Sequence, residues 1–467
     1  MASSFNLTSS EGTLRPMFKL AMPVLIEQSL VMLVGLVDTF LAARYLEDNS
    51  YIAAIGVMAY ILWMIPCTFG IVAIGSTALI ARFVGSRDYQ SAVRTTNQSL
   101  ILGSFLALLV TVLTFYLGDS FLQLLGMPAD AAEPARRYLR YVIPVIPAIM
   151  IQQVGIACLR GAGDTMSGFI TMAIVNTVNV IVGISLVTGY GPFPELGWDG
   201  LAIGTVSGYV TGGIIVTILL VRGRAGLQLQ RKLLKLDLTL SRRILRIGIP
   251  GGADQLFLVA CHVWFLSVIT SLGTLSLAAH SLGIRIESLA YLPGSAFHVA
   301  AATMTGQFLG AGDLKRAHRS ALTATAVGGS LMIGTGFLFF FGAEWLTGIF
   351  IVDGNHEMAT TTVQLLKLVS FSMPFLALMI ILNGALRGAG DTRWPLLFTF
   401  VGLICIRIPL AYWLAKDQIH LPVFDLVIDG WGMGIIGAWY AMLVDVVVRS
   451  LMIAGRFWQG GWQHIQV

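Results

Sequence analysis

The chain carries very little charge: Asp, Glu, Lys and Arg together make up 11% of its 467 residues. Hydrophobic residues account for 56%, and the mean hydropathy is +0.81. A soluble globular protein needs a charged exterior, which this composition cannot supply. The scarcity of charge therefore argues against a soluble protein and predicts an integral membrane protein.

Motifs of soluble enzymes are also missing. The dipeptide Gly-Lys occurs nowhere, so there is no Walker A loop, and neither H-E-x-x-H nor a nucleophile elbow is present. The four cysteines lie singly in different apolar stretches, which predicts neither disulfides nor a zinc site. We therefore expect no enzyme, no ATP-driven pump, no cofactor and no metal. Transport driven by an ion gradient, or passive movement, remains.

Apolar stretches long enough to cross about 30 Å of hydrocarbon recur along the whole chain. We predict twelve membrane spans, at residues 17–43, 52–80, 92–117, 138–159, 166–189, 199–221, 244–271, 276–306, 319–342, 362–386, 394–415 and 431–456. The predicted fold class is an all-α membrane protein with twelve transmembrane helices in two pseudo-symmetric six-helix bundles.

The two bundles are predicted from an internal repeat. The heptapeptide Leu-Arg-Gly-Ala-Gly-Asp-Thr occurs at 159–165 and again at 386–392, 227 positions later. The same offset relates Pro23 to Pro250, Gln28 to Gln255, Gly56 to Gly283, Pro66 to Pro293 and Pro147 to Pro374. Prolines and glycines fix backbone geometry, so their repetition means that bends are repeated.

Six crossings return the chain to its starting side, so both copies share one topology. Their expected relation is a pseudo-twofold axis along the membrane normal, with a cavity between them. We predict an N-terminal lobe at 1–221, a basic linker at 222–243 and a C-terminal lobe at 244–467.

The repeated heptapeptide falls in two short connections between spans. A phosphate-binding loop is one interpretation, but the lysine and the preceding strand of such loops are missing. The alternative is structural. Arg160 and Arg387 would anchor the cytoplasmic side, the glycines would permit a tight turn, and Asp164 and Asp391 would cap the next helix.

The basic residues are distributed unequally between the two sides of the predicted membrane. The side that includes the N-terminus holds 21 of the 29 Lys and Arg, and the opposite side holds six. This bias predicts that both termini lie in the cytoplasm. We expect the protein in the cell's inner (plasma) membrane. Orientation accounts for the net charge of +5, so we expect no nucleic-acid partner.

Asp38 is the most informative acidic residue. It lies in the apolar run VMLVGLVDTFLAA of span 1, fifteen residues after Pro23, and has no cation nearby in sequence. A charged Asp near the bilayer centre costs about 2.5–3.5 kcal/mol even on the mildest insertion scale. A buried acid of this kind suits a proton-coupled switch, whereas an Asp at the outer end of the span would merely face water. The equivalent residue of the second copy is Phe265, so the feature belongs to one lobe.

Other polar residues within spans have less specific roles. Glu27 and Asp254 are equivalent, and they serve either symmetric packing or an inner gate. Two further pairs are predicted to be structural: Glu287 with Arg285 in a buried ionic network, and Asp445 with Arg449 along one helix face. Amides cluster in spans 4 and 5 and would bond across helices or contact a ligand: Gln152, Gln153, Asn176 and Asn179.

Together these segments resemble the multidrug and toxic compound extrusion (MATE) transporters over nearly the whole chain. The resemblance lies in Pro23 with VDTFLAARYL, the paired LRGAGDT turns, LAAHSLGIRIESLAYLPG, TGQFLGAGDLKRA and RIPLAYWL. It implies two six-helix lobes, a central cavity alternately open to each side, and export of amphipathic organic cations in exchange for H⁺ or Na⁺.

The position of Asp38 resembles the DinF-like branch of that family, in which a span 1 aspartate couples cation binding to drug release. The resemblance implies that Asn179 and Thr205 share this site and that Pro23 bends the helix. Gly183 stands where related transporters often carry a second carboxylate, and 358–390 contains no Asp or Glu. One titrating carboxylate suits H⁺ better than Na⁺, which prefers several oxygen ligands.

We therefore predict a proton-coupled exporter, acting as a monomer in the lipid bilayer on amphipathic drugs or dyes. The predicted substrate cavity contains Gln28, Met32, Gln152, Gln153, Met172 and Asn176. The alternative is a lipid-linked oligosaccharide flippase of the same superfamily. Such a protein would need several basic residues in its cavity, whereas most Lys and Arg of the predicted spans lie near the span ends and Arg285 and Arg407 lie farther inside.

Overall fold

The structure, a computed structural model, describes residues 12–46, 49–124, 129–350, 356–421 and 426–465. The N-terminal lobe consists of α1 (Leu14–Tyr45), α2 (Asn49–Gly85), α3 (Tyr89–Leu124), α4 (Ala129–Val142), α5 (Ile146–Gly161), α6 (Met166–Thr188) and α7 (Trp198–Val221). A 3₁₀ turn joins α4 to α5, so that these two helices make one crossing.

The C-terminal lobe repeats this order with more interruptions. It consists of α8 (Leu238–Thr270), α9 (Thr274–Gly310), α10 (Leu314–Phe341), α11 (Ala343–Phe350), α12 (His356–Ser370), α13 (Met373–Gly388), α14 (Arg393–Phe400), α15 (Ile408–Ala415) and α16 (Gly434–Gln459). A π-helical segment, Val401–Arg407, joins α14 to α15, and an antiparallel pair of strands, β1 (Gln418–Leu421) and β2 (Leu426–Asp429), precedes α16. The sequence did not predict these strands.

The two-lobe, all-helical fold is confirmed, and the number of spans is approximately as predicted. Within the described residues, ten helices are long and apolar enough to cross a membrane, and α12 with α13, bent by 56°, makes an eleventh. The predicted span at 276–306 corresponds to α9, a helix of 37 residues that is long enough to cross a membrane but is not among these apolar helices. Twelve is reached only when α9 is included.

Helix starts on one side of the bundle are fixed by aspartates. Asp88 and Asp313 follow α2 and α9, and their carboxylates accept hydrogen bonds from the backbone N–H of Ser91 (3.0 Å) and Arg316 (2.9 Å). These bonds supply partners for N–H groups that the first turn leaves unpaired, and those from Ser91 lower the pKa of Asp88. Asp237 caps α8 in the same way, so this helix begins before the predicted boundary at 244.

A glycine face brings α6 and α7 close together. Gly204, Gly208 and Gly212 lie four residues apart on α7. A Cβ added to Gly204 would lie 2.8 Å from the Cα of Gly183 on α6. Backbone therefore packs against backbone here, and α7 is held where its side chains reach α1 and α6.

The repeated turns lie on the side of the bundle that also holds residues 12 and 465 and the connection 222–237, called here the terminal side. Asp164 accepts hydrogen bonds from the backbone of Ser167 (3.1 Å) and from Arg224 (2.7 Å). Asp391 accepts one from Arg456 (2.8 Å), which opposes the rise in pKa that burial causes. The predicted structural role of the aspartates is confirmed.

The arginines of the two turns point inward and do not serve as surface anchors. Arg160 pairs with Glu27 at 2.7 Å, and Arg387 pairs with Asp254 at 2.6 Å. Because the partners are related by the repeat offset, each lobe contains the same buried ion pair between its first helix and its repeated turn. The expectation that these arginines anchor the cytoplasmic side is therefore wrong, because each fastens its own lobe.

The lobes touch each other on the terminal side through equivalent residues. Gln307 of α9 donates a hydrogen bond to the carbonyl of Gly161 (3.1 Å), and Arg82 of α2 donates one to the carbonyl of Ala389 (3.3 Å). Arg82 in RFVGSRD aligns with Gln307 in QFLGAGD. Each lobe thus bonds to the repeated turn of the other, and we call this contact the terminal gate.

Two aligned glycines allow the helices of the terminal gate to cross closely. A Cβ on Gly85 would overlap the carbonyl oxygen of Gln307, and a Cβ on Gly310 would overlap that of Arg82. Within the described residues, the hydrogen bonds between helices of the two lobes all lie on this terminal side.

Inside the C-terminal lobe, two arginines converge on one aspartate. Asp445 is fully buried, and its carboxylate bonds to Arg449 in a bidentate fashion (2.6 and 2.7 Å) and to Arg407 of the π-helical segment (2.8 Å). The pairing of Asp445 with Arg449 was predicted, but the participation of Arg407 was not. This cluster fastens α16 to the π-helical segment.

Replacing Asp445 by asparagine should destabilise the protein by about 3–5 kcal/mol, because it leaves two arginines buried without a counter-charge. Thermal unfolding of the purified protein in detergent measures this as a lowered midpoint. The matched control is Asp119→Asn, which breaks an exposed ion pair with Arg136 and should leave the midpoint unchanged. An unchanged midpoint in the Asp445 variant would contradict the proposed fastening role.

Candidate functional site

Asp38 lies in a polar cluster within the N-terminal lobe, called here the Asp38 cluster: Asp38, Tyr138, Asn179 and Thr205. The hydroxyl of Thr205 donates a hydrogen bond to Asp38 Oδ2 at 3.2 Å. It accepts one from the amide of Asn179 (3.2 Å) and one from the hydroxyl of Tyr138 (3.0 Å). Four helices, α1, α4, α6 and α7, each contribute one of these residues.

The Asp38 cluster lacks positive charge. Asp38 is 7% exposed, and within the described residues neither lysine nor arginine pairs with it. The Oδ1 atom of Asn179 is buried without a hydrogen-bond partner in the same part of the chain. A buried carboxylate with few donors and no cation is costly, so the site can take up a proton or a small cation. No group of three or more His, Cys, Asp or Glu that could hold a metal ion occurs in the described ranges.

The sequence singled out three of the four members of this cluster and missed Tyr138. Its ring is 1% exposed and packs on Trp198 with the ring centroids 5.5 Å apart. A tyrosine at the start of an apolar span is usually interfacial, so the pattern gave no reason to place it inside. Gly183, predicted to stand in place of a second acid, packs against Leu41 and Gly204.

A second polar region lines a cavity of about 550 Å³ between the lobes, called here the central cavity. Its size suits a drug-sized molecule. Aromatic side chains form much of its wall: Tyr60, Trp63, Phe265, Tyr291 and Trp439. The two residues of α2 come from the N-terminal lobe, whereas the other three come from α8, α9 and α16.

One face of α9 supplies a polar stripe to the central cavity. His280, Glu287, Tyr291 and His298 all line it, and their spacing of 7, 11 and 18 residues from His280 places them on the same helix face. The sequence shows this spacing, although a polar stripe on this helix was not predicted from it. Arg285 is exposed, so the predicted buried network with Glu287 is wrong.

Hydrogen bonds at Nδ1 determine whether Nε2 of each cavity histidine is a hydrogen-bond donor or an acceptor. Nδ1 of His262 lies 2.7 Å from the carbonyl of Leu258, and Nδ1 of His298 lies 2.9 Å from that of Ile380. In a neutral ring, Nδ1 is then the donor and Nε2 is left as an acceptor. His280 differs, because its Nδ1 accepts from the indole of Trp439 at 3.2 Å, which leaves Nε2–H as a donor.

The predicted substrate residues are not brought together in the central cavity. Gln28 lines it, whereas Met32, Gln152, Gln153, Met172 and Asn176 are not among its lining residues. Gln152 instead donates to the sulfur of Met172 at 3.0 Å, and Asn176 donates to the carbonyl of the same methionine at 2.8 Å. Their assignment to substrate binding remains a prediction.

Pro23 lies within α1, which continues through it as one helix of 32 residues. Its predicted role in helix bending therefore concerns a change between states and remains a prediction as well.

Comparison with known proteins gives one consistent result. The MatE family model matches residues 23–184 and 250–413, which together make up more than half of the chain and contain one copy of the repeat each. The chain is 27% identical over 451 residues to the probable multidrug resistance protein NorM of Thermotoga maritima, covering 96% of this chain and 93% of that protein. It is 25% identical over 448 residues to the multidrug resistance protein MdtK of Pectobacterium atrosepticum, covering 95% and 94%.

Solved structures share the fold. An outward-facing multidrug resistance MATE family transporter of the MOP superfamily superposes with a TM-score of 0.85 at 19% identity, covering 96% of both chains. A MOP superfamily transporter from Pyrococcus furiosus, described as having a binding pocket of reversed polarity, gives a TM-score of 0.84 at 20% identity, covering 95% of this chain and 94% of that one.

Proposed function

Because the chain belongs to the MatE family of membrane transporters, and is therefore a multi-pass membrane protein and not an enzyme, we propose that it exports small amphipathic organic compounds in exchange for protons. The observation that carries this proposal is the buried, uncompensated carboxylate of Asp38 in one of two lobes that enclose a cavity. The names of the relatives from Thermotoga maritima and Pectobacterium atrosepticum support a drug-like substrate.

Alternating access supplies the transport step. The lobes are hydrogen-bonded to each other at the terminal gate, so in this proposal the central cavity opens toward the opposite side. Protonation of Asp38 there would remove the buried charge and change the bonding of Thr205, which α7 carries. The reverse state requires the terminal gate to open while the lobes close on the other side. The motion is a rocking of two lobes about a fixed cavity.

The direction of transport follows from the distribution of basic residues. The connection between α7 and α8 and residues 12 and 465 lie on the terminal side, to which the sequence assigns 21 of the 29 Lys and Arg. We assign this side to the cytoplasm and the protein to the inner (plasma) membrane. The structure then corresponds to the state that releases substrate outward and receives protons.

The flippase alternative is not favoured by the comparisons, since the similar proteins are named for drug resistance. It remains distinguishable by experiment, because a flippase would move lipid-linked sugars rather than soluble dyes.

Dye efflux from proteoliposomes under separately imposed gradients tests the coupling. A proton gradient at equal sodium should drive uphill efflux of a cationic dye, and a sodium gradient at equal pH should not. Liposomes without protein provide the leak rate under each gradient. Efflux driven by sodium alone would overturn the assignment of H⁺ as the coupling ion.

A further inference from the structure

The central cavity contains one carboxylate without a protein partner and one guanidinium that protein groups pair only in part. Glu287 is 4% exposed and has neither a hydrogen bond nor an ion pair within the described residues. Arg407 is also 4% exposed, and its Nε has no partner in the same part of the chain, although Nη2 bonds to Asp445. Both side chains line the cavity.

The charge balance of the central cavity explains why both groups are available. The pair of Asp254 with Arg387 is neutral. Asp445 neutralises only one of its two arginines, and the bidentate bond with Arg449 identifies Arg407 as the surplus cation. With the histidines neutral and Glu287 ionised, the cavity as a whole is neutral, but one positive and one negative charge remain apart.

A monovalent cation in this cavity would satisfy Glu287 and leave the surplus charge of Arg407 buried and unmatched, and an anion would do the reverse. Uncompensated charge in a buried site is costly. A ligand with one charge of each sign leaves neither pole unmatched. The guanidinium of Arg407 can receive a carboxylate through a planar pair of N–H donors.

The aromatic wall fits the body of such a ligand. The ring of Phe265 already lies 5.7 Å from the guanidinium carbon of Arg407. Phe265 occupies the repeat position of Asp38, and Tyr60 of the other lobe occupies that of Glu287. Each lobe therefore carries an acid where the other carries an aromatic ring, so the two lobes are suited to different ligands.

We propose that the central cavity binds aromatic zwitterions, with Glu287 holding the cationic nitrogen and Arg407 the carboxylate. The proposal deepens the proposed export function and rests on it for the physiological meaning of the site. It assigns the cargo to the C-terminal lobe and the coupling proton to the Asp38 cluster.

Three dyes with the same xanthene frame test the charge rule: rhodamine 110 is a zwitterion, its methyl ester rhodamine 123 is a cation, and fluorescein is an anion. Binding is measured by fluorescence anisotropy on the intact protein in detergent, without any gradient. The wild-type protein should bind rhodamine 110 about tenfold or more tightly than either relative, the loss expected when one charged hydrogen bond is missing.

Two variants that each remove one charge should invert the order in opposite directions. Glu287→Gln leaves a net positive cavity, so fluorescein should gain affinity and rhodamine 110 should lose it. Arg407→Gln leaves Asp445 paired with Arg449 and a net negative cavity, so rhodamine 123 should become the tightest ligand. Because each variant gains affinity for one dye, misfolding cannot produce the result.

The controls are Arg285→Gln, two positions from Glu287 but exposed, and Glu357→Gln at the exposed start of α12. Both should keep the wild-type order. The proposal is overturned when the wild-type protein binds rhodamine 123 as tightly as rhodamine 110, or when both cavity variants weaken all three dyes equally. If liposomes show dye efflux but the protein does not prefer the zwitterionic dye, the proposed export function stands and the zwitterion site is refuted. If the protein prefers the zwitterionic dye but liposomes show no efflux, the zwitterion site stands and the export function is refuted.

Discussion

Replacing Asp38 by asparagine should reduce proton-driven dye efflux to the rate of liposomes without protein. Asparagine is nearly isosteric and can still accept the hydrogen bond from Thr205, so the Asp38 cluster keeps its shape. It cannot bind or release a proton in the relevant range. The measurement is the initial efflux rate in proteoliposomes across a series of imposed pH gradients, with the protein content of each preparation determined in parallel.

The result should separate coupling from binding. Dye affinity in detergent should stay within about a factor of three of the wild-type value, well below the tenfold change that 1.4 kcal/mol represents, because Asp38 does not line the central cavity. The matched control is Asp88→Asn in the exposed connection after α2, which should transport normally. Uphill efflux that still follows the pH gradient in the Asp38 variant would exclude this residue as the proton carrier.

Replacing Gly310 by leucine should prevent the terminal gate from closing. A side chain at this position overlaps the backbone carbonyl of Arg82, which cannot move without displacing α2. The lobes would then remain apart on the terminal side, and efflux should fall to background. Because the residue is distant from both polar sites, its loss of transport would report on the motion rather than on binding.

Cysteine labelling measures the opening directly. Thr303 is fully buried at the terminal gate, where its hydroxyl bonds to the carbonyl of Arg160 at 3.1 Å. In a protein whose four native cysteines are replaced by alanine, Thr303→Cys should react slowly with a maleimide, and adding Gly310→Leu should accelerate the reaction about tenfold or more. Gly334→Leu is the matched control, since a Cβ there meets nothing within 4 Å. Equal labelling rates in the two variants would contradict the gate.

The fold could be predicted from the sequence because membrane spans and internal repeats are visible directly as sequence patterns. Low charge, apolar stretches and the 227-residue offset required no tertiary information. The π-helical segment was not predicted, and the ion pair of its Arg407 with Asp445 joins residues of different helices. The strands β1 and β2 were missed because a short polar connection gives little periodic signal.

The site was predictable only where one residue was chemically out of place. Asp38 stands out because an acid in an apolar run is costly, and the family pattern supplied Asn179 and Thr205. The central cavity was harder to foresee. Its charged groups are distributed over α8, α9, α13, α16 and the π-helical segment, whereas the sequence analysis paired Glu287 with Arg285 and Asp445 with Arg449 within single helices. The arginines of the repeated turns were misplaced for a related reason, since their partners lie more than a hundred residues away in the chain.

The assignment of the proton to one lobe and of the cargo to the other sets the electrical character of a transport cycle. Exchange of one proton on Asp38 for one monovalent cation moves no net charge, so the membrane voltage contributes nothing. Exchange for a zwitterion carries one positive charge inward, and each 100 mV of inside-negative potential then adds about 2.3 kcal/mol to the driving force. That contribution exceeds the roughly 1.4 kcal/mol from one pH unit. When the pH is the same on both sides of the membrane, the membrane potential alone would therefore still drive the export of zwitterions.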